Sequence, residues 1–344
     1  MPSSPTIHAT NIYAPNDMTN LGIRQSDKAA EFSQFGIELD IPGTNPAIKD
    51  YFAPLLPWEI CAVQAQTSNG KTVFIIWWIR KIAEQLARQN RDETIIWVSL
   101  EETIEAMAYS EFGRILKVKP ADIARGTYKD KKKLLWAKVQ IDGINVWRIG
   151  NSSQTPEDAP PLTLSNIYRS TQELISGGVT GNKFKPAVMV VDYLQILPID
   201  PEFSKVRNSD QRRLQVDADT GRLRNMTSHL QCPIIVPLQA KQELQGNNLP
   251  YMIPGTYDGM ETSGIATRFD RIISLWMPKT SYPVGSTHYN KEKTQSVTCN
   301  SDNQAFLKVN KQRGGLPAGM VWELKIDFDN QEYTDAFYSG GKNV

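Results

Sequence analysis

The stretch that most constrains this chain runs from Glu59 to Thr72, Glu-Ile-Cys-Ala-Val-Gln-Ala-Gln-Thr-Ser-Asn-Gly-Lys-Thr. A short apolar run, Ile60 to Val63, stops at small and polar residues. Gly70-Lys71-Thr72 then opens a pattern of helical period, with Ile75, Ile76, Ile79, Ile82, Ala83 and Leu86 along one side. Strand, tight loop and helix in that order wrap backbone N–H groups around an anion at the helix N-terminus. Within such a loop Lys71 neutralises β and γ phosphates and the Thr72 hydroxyl is left for Mg²⁺. Ala65, Gln66, Thr67, Ser68, Asn69, Gly70, Lys71 and Thr72 are therefore the expected ATP site. The usual G-x-x-x-x-G-K-S/T begins with Gly and this chain has Ala65, a residue small enough to make the turn only mildly harder.

The 344 residues are 40% hydrophobic and 22% charged, ordinary globular material with ample core. No stretch approaches a membrane-spanning apolar length, and the polar start from Met1 to Asn20 lacks a signal-peptide core, so a cytoplasmic location is expected. Cys61, Cys232 and Cys299 are scattered and odd in number, which suits buried thiols in a reducing compartment and no metal-ligand set. A net charge of +1 gives no global push toward nucleic acid, so any such contact must come from local loops or from a surface repeated in an assembly.

Taken in order, residues 1–35 form an expected flexible arm that docks on something, a second subunit among the possibilities, with a helix candidate over Asp27 to Phe35. The proline-rich segment Phe35 to Pro57 leads into the first strand. A second apolar strand, Thr94 to Leu100, ends at Glu101-Glu102. A carboxylate there is placed either beside a bound ligand or to favour the next helix's N-terminus through its dipole. Residues 117–145 read as charged and helical, Val146 to Ile149 as a short strand, and Leu162 to Ser176 as a helix with its lead-in. Ala187 to Asp192 is a continuous apolar strand ending in a carboxylate at the edge where open α/β sheets bind ligands, which makes Asp192 the natural partner for a Mg²⁺ ion held by Thr72. Strands are expected again at Pro233 to Val236, Ile272 to Trp276 and Ala305 to Val309, and Val321 to Phe328 alternates like an antiparallel edge strand. Residues 241–264 make a long loop of the functional kind. Lys311 and Arg313, two apart at a strand end, aim the same way and could reach one phosphate group. The alternation of strand and helix describes a three-layer α/β domain with a mainly parallel sheet, over residues 36–329, followed by a tail of residues 330–344.

Seven segments together resemble the RecA-like motor domain of DnaB-type replicative helicases, a P-loop NTPase fold. They are Ala65 to Thr72, Ser99-Leu100-Glu101, Leu162-Thr163-Leu164-Ser165, Asp192-Tyr193-Leu194-Gln195, Leu238-Gln239, Thr262-Ser263-Gly264 and Lys311-Gln312-Arg313-Gly314. The resemblance implies a hexameric ring that hydrolyses ATP with Mg²⁺ between neighbouring subunits and moves on single-stranded DNA. Lys71 and Thr72 would then hold phosphate and metal, Glu101 would polarise water, Asp192 would fix the metal's water shell, and Gln239 would sense the γ-phosphate. Lys311 and Arg313 would reach into the neighbour's site. DNA contacts are expected from residues 199–213 and 241–264, with Lys205, Arg207, Lys241, Ser263 and Gly264 as candidates. A loader or other replication or mobile-element proteins are the further partners it implies, and no membrane is expected. The family's N-terminal domain is expected to be absent, as suits a phage, plasmid or mobile-element protein.

The sequence also departs from the family. Glu261 stands where the family has Arg before its Ser-Gly turn, Leu238 replaces Ser before the sensor Gln, and Arg268 and Arg271 partly replace acidic residues. An ATPase that assembles on DNA or a protein and recruits or remodels without unwinding is the alternative that Glu261 favours. A monomeric phosphotransferase would make no use of Lys311 and Arg313.

Overall fold

The apolar runs of the sequence become the strands of one nine-stranded sheet in the computed structural model, which describes residues 15–33, 36–44, 47–192, 194–198, 208–241, 251–259, 265–313 and 318–336. In chain order the strands are β1 (Ile60–Ala65), β2 (Thr94–Ser99), β3 (Val146–Ile149), β4 (Pro186–Asp192), β5 (Ile234–Gln239), β6 (Arg271–Trp276), β7 (Thr287–Tyr289), β8 (Ser296–Thr298), β9 (Gln304–Gln312), β10 (Val321–Asp327) and β11 (Glu332–Asp335). The sheet order is β11-β10-β9-β6-β1-β5-β4-β2-β3, parallel from β6 to β3 and antiparallel from β6 outward to β11. The helices are α1 (Pro15–Ser33), α2 (Ile48–Tyr51), α3 (Lys71–Arg88), α4 (Ile104–Leu116), α5 (Pro120–Ala124), α6 (Lys131–Asp142), α7 (Leu164–Ser176) and α8 (Asn208–Leu230).

The strands are apolar at every position because both faces are covered. Successive residues of β1 alternate between two cores: Cys61, Val63 and Ala65 face α3 and the segment from Ile37 to Leu55, while Ile60 and Ala62 face α7 and α8. This is the three-layer arrangement expected from the sequence, with β1 in the middle of the sheet and the loop after it opening on the C-terminal edge of the parallel strands. Among the described residues no helix is long and apolar enough to cross a membrane, and Cys61, Cys232 and Cys299 are buried free thiols.

Three elements differ from expectation. Helix α1 spans Pro15–Ser33, well beyond the candidate over Asp27 to Phe35. The polar excursion before β9 contains the β7–β8 hairpin, packed through Tyr282, Val297 and Cys299 on Trp276. Strand β10 is not the edge, because Glu332–Asp335, assigned by sequence to a tail, pairs outside it. Four residues are too few for a period to show, yet Tyr333 is the anchor of the strand. Its ring lies edge-on to Phe74 at 5.4 Å and beside Trp77 at 5.6 Å, and its hydroxyl donates to the Gly70 carbonyl at 3.1 Å. Trp77 Nε1 in turn donates to Glu332 at 3.1 Å. The last strand therefore holds the first two turns of α3 against the sheet.

For a strand anchored in this way, Tyr333→Ala should cost about 3–5 kcal/mol through the cavity it leaves, and Tyr333→Phe about 1 kcal/mol through the lost hydrogen bond. Urea midpoints measure both, and an unchanged midpoint in Tyr333→Ala would show that the strand adds nothing.

Candidate active site

The loop between β1 and α3 has the backbone that its sequence calls for. Ser68 and Gly70 have φ of 63° and 77°, and Gly70 enters α3 from the left-handed region. A Cβ on Gly70 would lie 3.0 Å from the Tyr333 hydroxyl, so both the dihedral and the close approach require glycine. Asn69 braces the loop from outside. Its Oδ1 accepts from the Met277 amide at 2.7 Å and the Thr280 hydroxyl at 3.2 Å, and its Nδ2 donates to the Thr67 carbonyl at 3.1 Å. The first amides of α3, which have no acceptor within the helix, are thus presented at the edge of the sheet where a phosphate can take them.

Lys71 opens α3 and is buried. Burial pulls its pKa down, and the charges of Asp192 and Glu101 push it back up. Asp192 ends β4 opposite Ser99 of β2, and its carbonyl accepts from the Leu100 amide at 2.7 Å. Its carboxyl is pushed up to about 6, first by burial and further by Glu101 and Glu102, against the opposing pull of Lys71. One carboxylate oxygen, Oδ1, is buried with no hydrogen-bond partner. An orphaned hard oxygen beside a lysine, across from the Thr72 hydroxyl at the start of α3, fits Mg²⁺. No cluster of three or more His, Cys, Asp or Glu is placed to hold a metal among the described residues, so such an ion would take its remaining ligands from phosphate and water, as Mg²⁺ does.

Glu101 lies just past β2 and is exposed. The alternative in which it serves the next helix loses its ground, because Thr103 caps α4 by accepting from the Ala106 amide and Glu105 occupies the first turn. Gln239 ends β5 level with Ala65, and its Nε2 donates to the Thr67 hydroxyl at 2.6 Å. Gln66 Nε2 donates to the Lys241 carbonyl at 3.0 Å. The residues from Ala65 to Thr72, Glu101, Asp192 and Gln239 are therefore brought together on one edge.

Lys311 and Arg313 are elsewhere. Strand β9 runs against β6, pairing Gln312 with Arg271 and Phe306 with Trp276. The pair therefore sits at the N-terminal edge of the parallel strands, about 16 Å along β6 from the phosphate-loop end. Both side chains turn the same way, as their spacing predicts. Lys311 Nζ donates to the Ala266 carbonyl at 2.7 Å, Arg313 Nη2 donates to that of Thr267 at 2.6 Å, and Arg313 Nη1 lies 3.2 Å from Asp270. Asp270, which sequence reasoning passed over, also accepts from the Ile60 amide at 2.9 Å and from Arg224 at 2.8 Å. Three cations around one carboxylate leave this corner with excess positive charge.

Of the DNA candidates, Lys205, Arg207, Ser263 and Gly264 lie outside the described residues. Lys241 is exposed, and its amide donates to the Asp258 carbonyl at 2.7 Å. Arg268 and Arg271 are committed within the fold. Arg268 pairs with Asp217 at 2.8 Å and crosses α8 where Gly221 leaves room, a Cβ there falling 2.6 Å from its guanidinium. Arg271 is buried on Glu59 at 2.9 Å.

Because its folded-state pKa is raised, Asp192 binds more protons folded than unfolded between its ordinary value and about 6. Its ionisation thus costs stability above that range, by at most about 3 kcal/mol. Asp192→Asn is expected to raise the melting temperature of the nucleotide-free chain at pH 8, and the gain should shrink toward pH 5. A variant that melts lower at both pH values would contradict the assignment.

Comparison with known proteins agrees with this geometry. No curated protein matches. Two solved structures share the fold, each with a TM-score of 0.64 over 93% of this chain: an isolated ATPase domain, at 17% identity and 98% of its length, and a DnaB-like replicative helicase studied with primase, at 16% identity and 69% of its length. The sequence pattern of the DnaB-like helicase C terminal domain matches residues 47–334 and so takes in β11 with the rest of the sheet. The chain belongs to the family of DnaB-like helicase C-terminal domains.

Proposed function

We propose that this chain is the ATP-driven motor of a homohexameric ring that hydrolyses ATP at each seam between copies, moves along single-stranded DNA and unwinds duplex ahead of it. The observation that supports this best is the separation of Lys311 and Arg313 from the loop they would serve. Their place at the opposite edge of the sheet keeps them from the chain's own nucleotide, and a second copy stacked in a ring would receive them.

In this reading the amides of α3 and Lys71 hold the β and γ phosphates, and the Thr72 hydroxyl and Asp192 carboxylate supply the protein's metal ligands. A Mg²⁺ ion there would offset the charge growing on the phosphate oxygens. Glu101 orients the attacking water and takes its proton. Gln239 leaves the Thr67 hydroxyl for the γ-phosphate. Arg313 stabilises the transferring phosphoryl group of the neighbour, a contribution worth about 10³ to 10⁵ in rate when such a cation arrives in trans. Leaving Asp270 for that task does not orphan the carboxylate, since Arg224 and the Ile60 amide remain on it. Single strands can be tracked by backbone amides and a few cations, so a net charge of +1 is no obstacle.

A second reading shares the site: an ATPase that assembles on DNA or on a protein partner and recruits or remodels without unwinding, favoured by Glu261 in place of the family's Arg. Measuring ATPase rate with and without single-stranded DNA, beside unwinding of a forked duplex, separates the two. Stimulated hydrolysis with unwinding supports the motor, and hydrolysis without unwinding supports the second reading. Lys71→Ala and Glu101→Gln should each abolish turnover. Arg313→Ala should do so with ATP binding little changed, and a normal rate in that variant would remove the case for a shared site.

A further inference from the structure

Gln195 belongs to the Asp-Tyr-Leu-Gln segment that marks the family, yet neither the nucleotide nor the metal accounts for it. Its place in the sheet does. Strands β4 and β5 pair only through Met189 with Ile234 and Val190 with Ile235. Beyond that point they part: Asp192 stays with β2, opposite Ser99, while Val236 to Gln239 stay with β1. The side of Gln239 that faces β4 would then have its amide and carbonyl without a ladder partner, at the point where the phosphate sensor must be held still.

The Gln195 carboxamide fills that place. Its Nε2 donates to the Gln239 carbonyl at 3.2 Å and its Oε1 accepts from the Gln239 amide at 3.2 Å, the two-point bond that a neighbouring strand would make. Gln195 is itself buried. The segment that carries it is pinned by buried Leu197 and by Gln215 of α8, whose Nε2 donates to the Pro198 carbonyl at 2.8 Å. On the far side of β5, Ala240 donates to the Ala65 carbonyl at 2.8 Å. The backbone at Gln239 is therefore held from both sides, and only its side chain, now on the Thr67 hydroxyl, is left to rotate.

We propose that Gln195 is a positioning residue for hydrolysis: its carboxamide replaces the missing β4–β5 ladder and locks the sensor's backbone to the strand that ends in Asp192. This rests on the ATPase reading above. Gln195 touches no phosphate, so its loss acts through Gln239. Reaction geometry is then degraded while the loop that binds nucleotide, held by Asn69 and Tyr333, is spared. An error of about 1 Å in such a group can cost up to about a hundredfold in rate.

The test is Gln195→Met, which keeps the volume and removes the amide's donor and carbonyl. Two readouts are taken on the full chain: steady-state ATP hydrolysis, and amide hydrogen exchange across Ile234–Ala240, with thermal melting as the control for folding. The expected result is a kcat lowered about tenfold or more with KM for ATP within about twofold, and faster exchange at Gln239 while Ile235 stays protected. Gln195→Asn, whose shorter side chain cannot span both atoms, should fall with Met. A variant that melts like the wild type with unchanged kcat, or whose Gln239 amide stays protected, overturns the assignment, as does a kcat and KM that worsen together. An active wild type with a normal Gln195→Met overturns this inference alone, whereas a wild type that hydrolyses no ATP overturns the ATPase reading and this inference with it.

Discussion

Lys71 and Asp192 are two charges that burial works to neutralise, and the protein keeps them beside each other at the mouth of its central crevice. Burial lowers the pKa of the lysine and raises that of the aspartate, and each is steadied chiefly by the other. A protein interior tolerates such a pair only if the geometry is maintained by something stronger than the pair itself. Here that something is the sheet. Lys71 opens a helix locked to β6 through Asn69 and to β11 through Tyr333, and Asp192 ends a strand held to β2. The cost of holding an ionised carboxylate with an unpartnered oxygen is what suits it to a metal and a polyanion, which would supply what the fold withholds.

The same sheet explains why its two edges carry opposite chemistry. Parallel strands end together, so the loops after β1, β2, β4 and β5 all open on one edge and gather the phosphate loop, Glu101, Asp192 and Gln239 there. The reversal at β9 carries Lys311 and Arg313 to the other edge, beside Asp270 and Arg224. A chain built this way has an acidic, metal-ready crevice on one edge and surplus cations on the other. That polarity is what a head-to-tail ring requires.

Much of this was legible in residue patterns. The strand-loop-helix around Gly70, the both-sides-buried strand ending at Asp192 and the spacing of Lys311 and Arg313 are local signals, each set by one or two periods of backbone. Other features carry no local mark. Glu332–Asp335 is too short to show alternation, and its importance lies in where Tyr333 lands. Arg268 and Arg271 look like free surface cations in the sequence, and only the fold brings Asp217 and Glu59 to them. Gln195 stood in plain view, but its partner lies 44 residues away in the chain.

By itself the sequence determined the fold class, the nucleotide loop and the identity of the chemical groups, because helix and strand periods and the needs of phosphate act over a few neighbouring residues. Tertiary structure alone decided which edge each group occupies, which arginines are spent inside the fold, and how the sensor strand is held where its ladder fails. Those outcomes depend on strand order and direction, and on charges that meet across long stretches of chain.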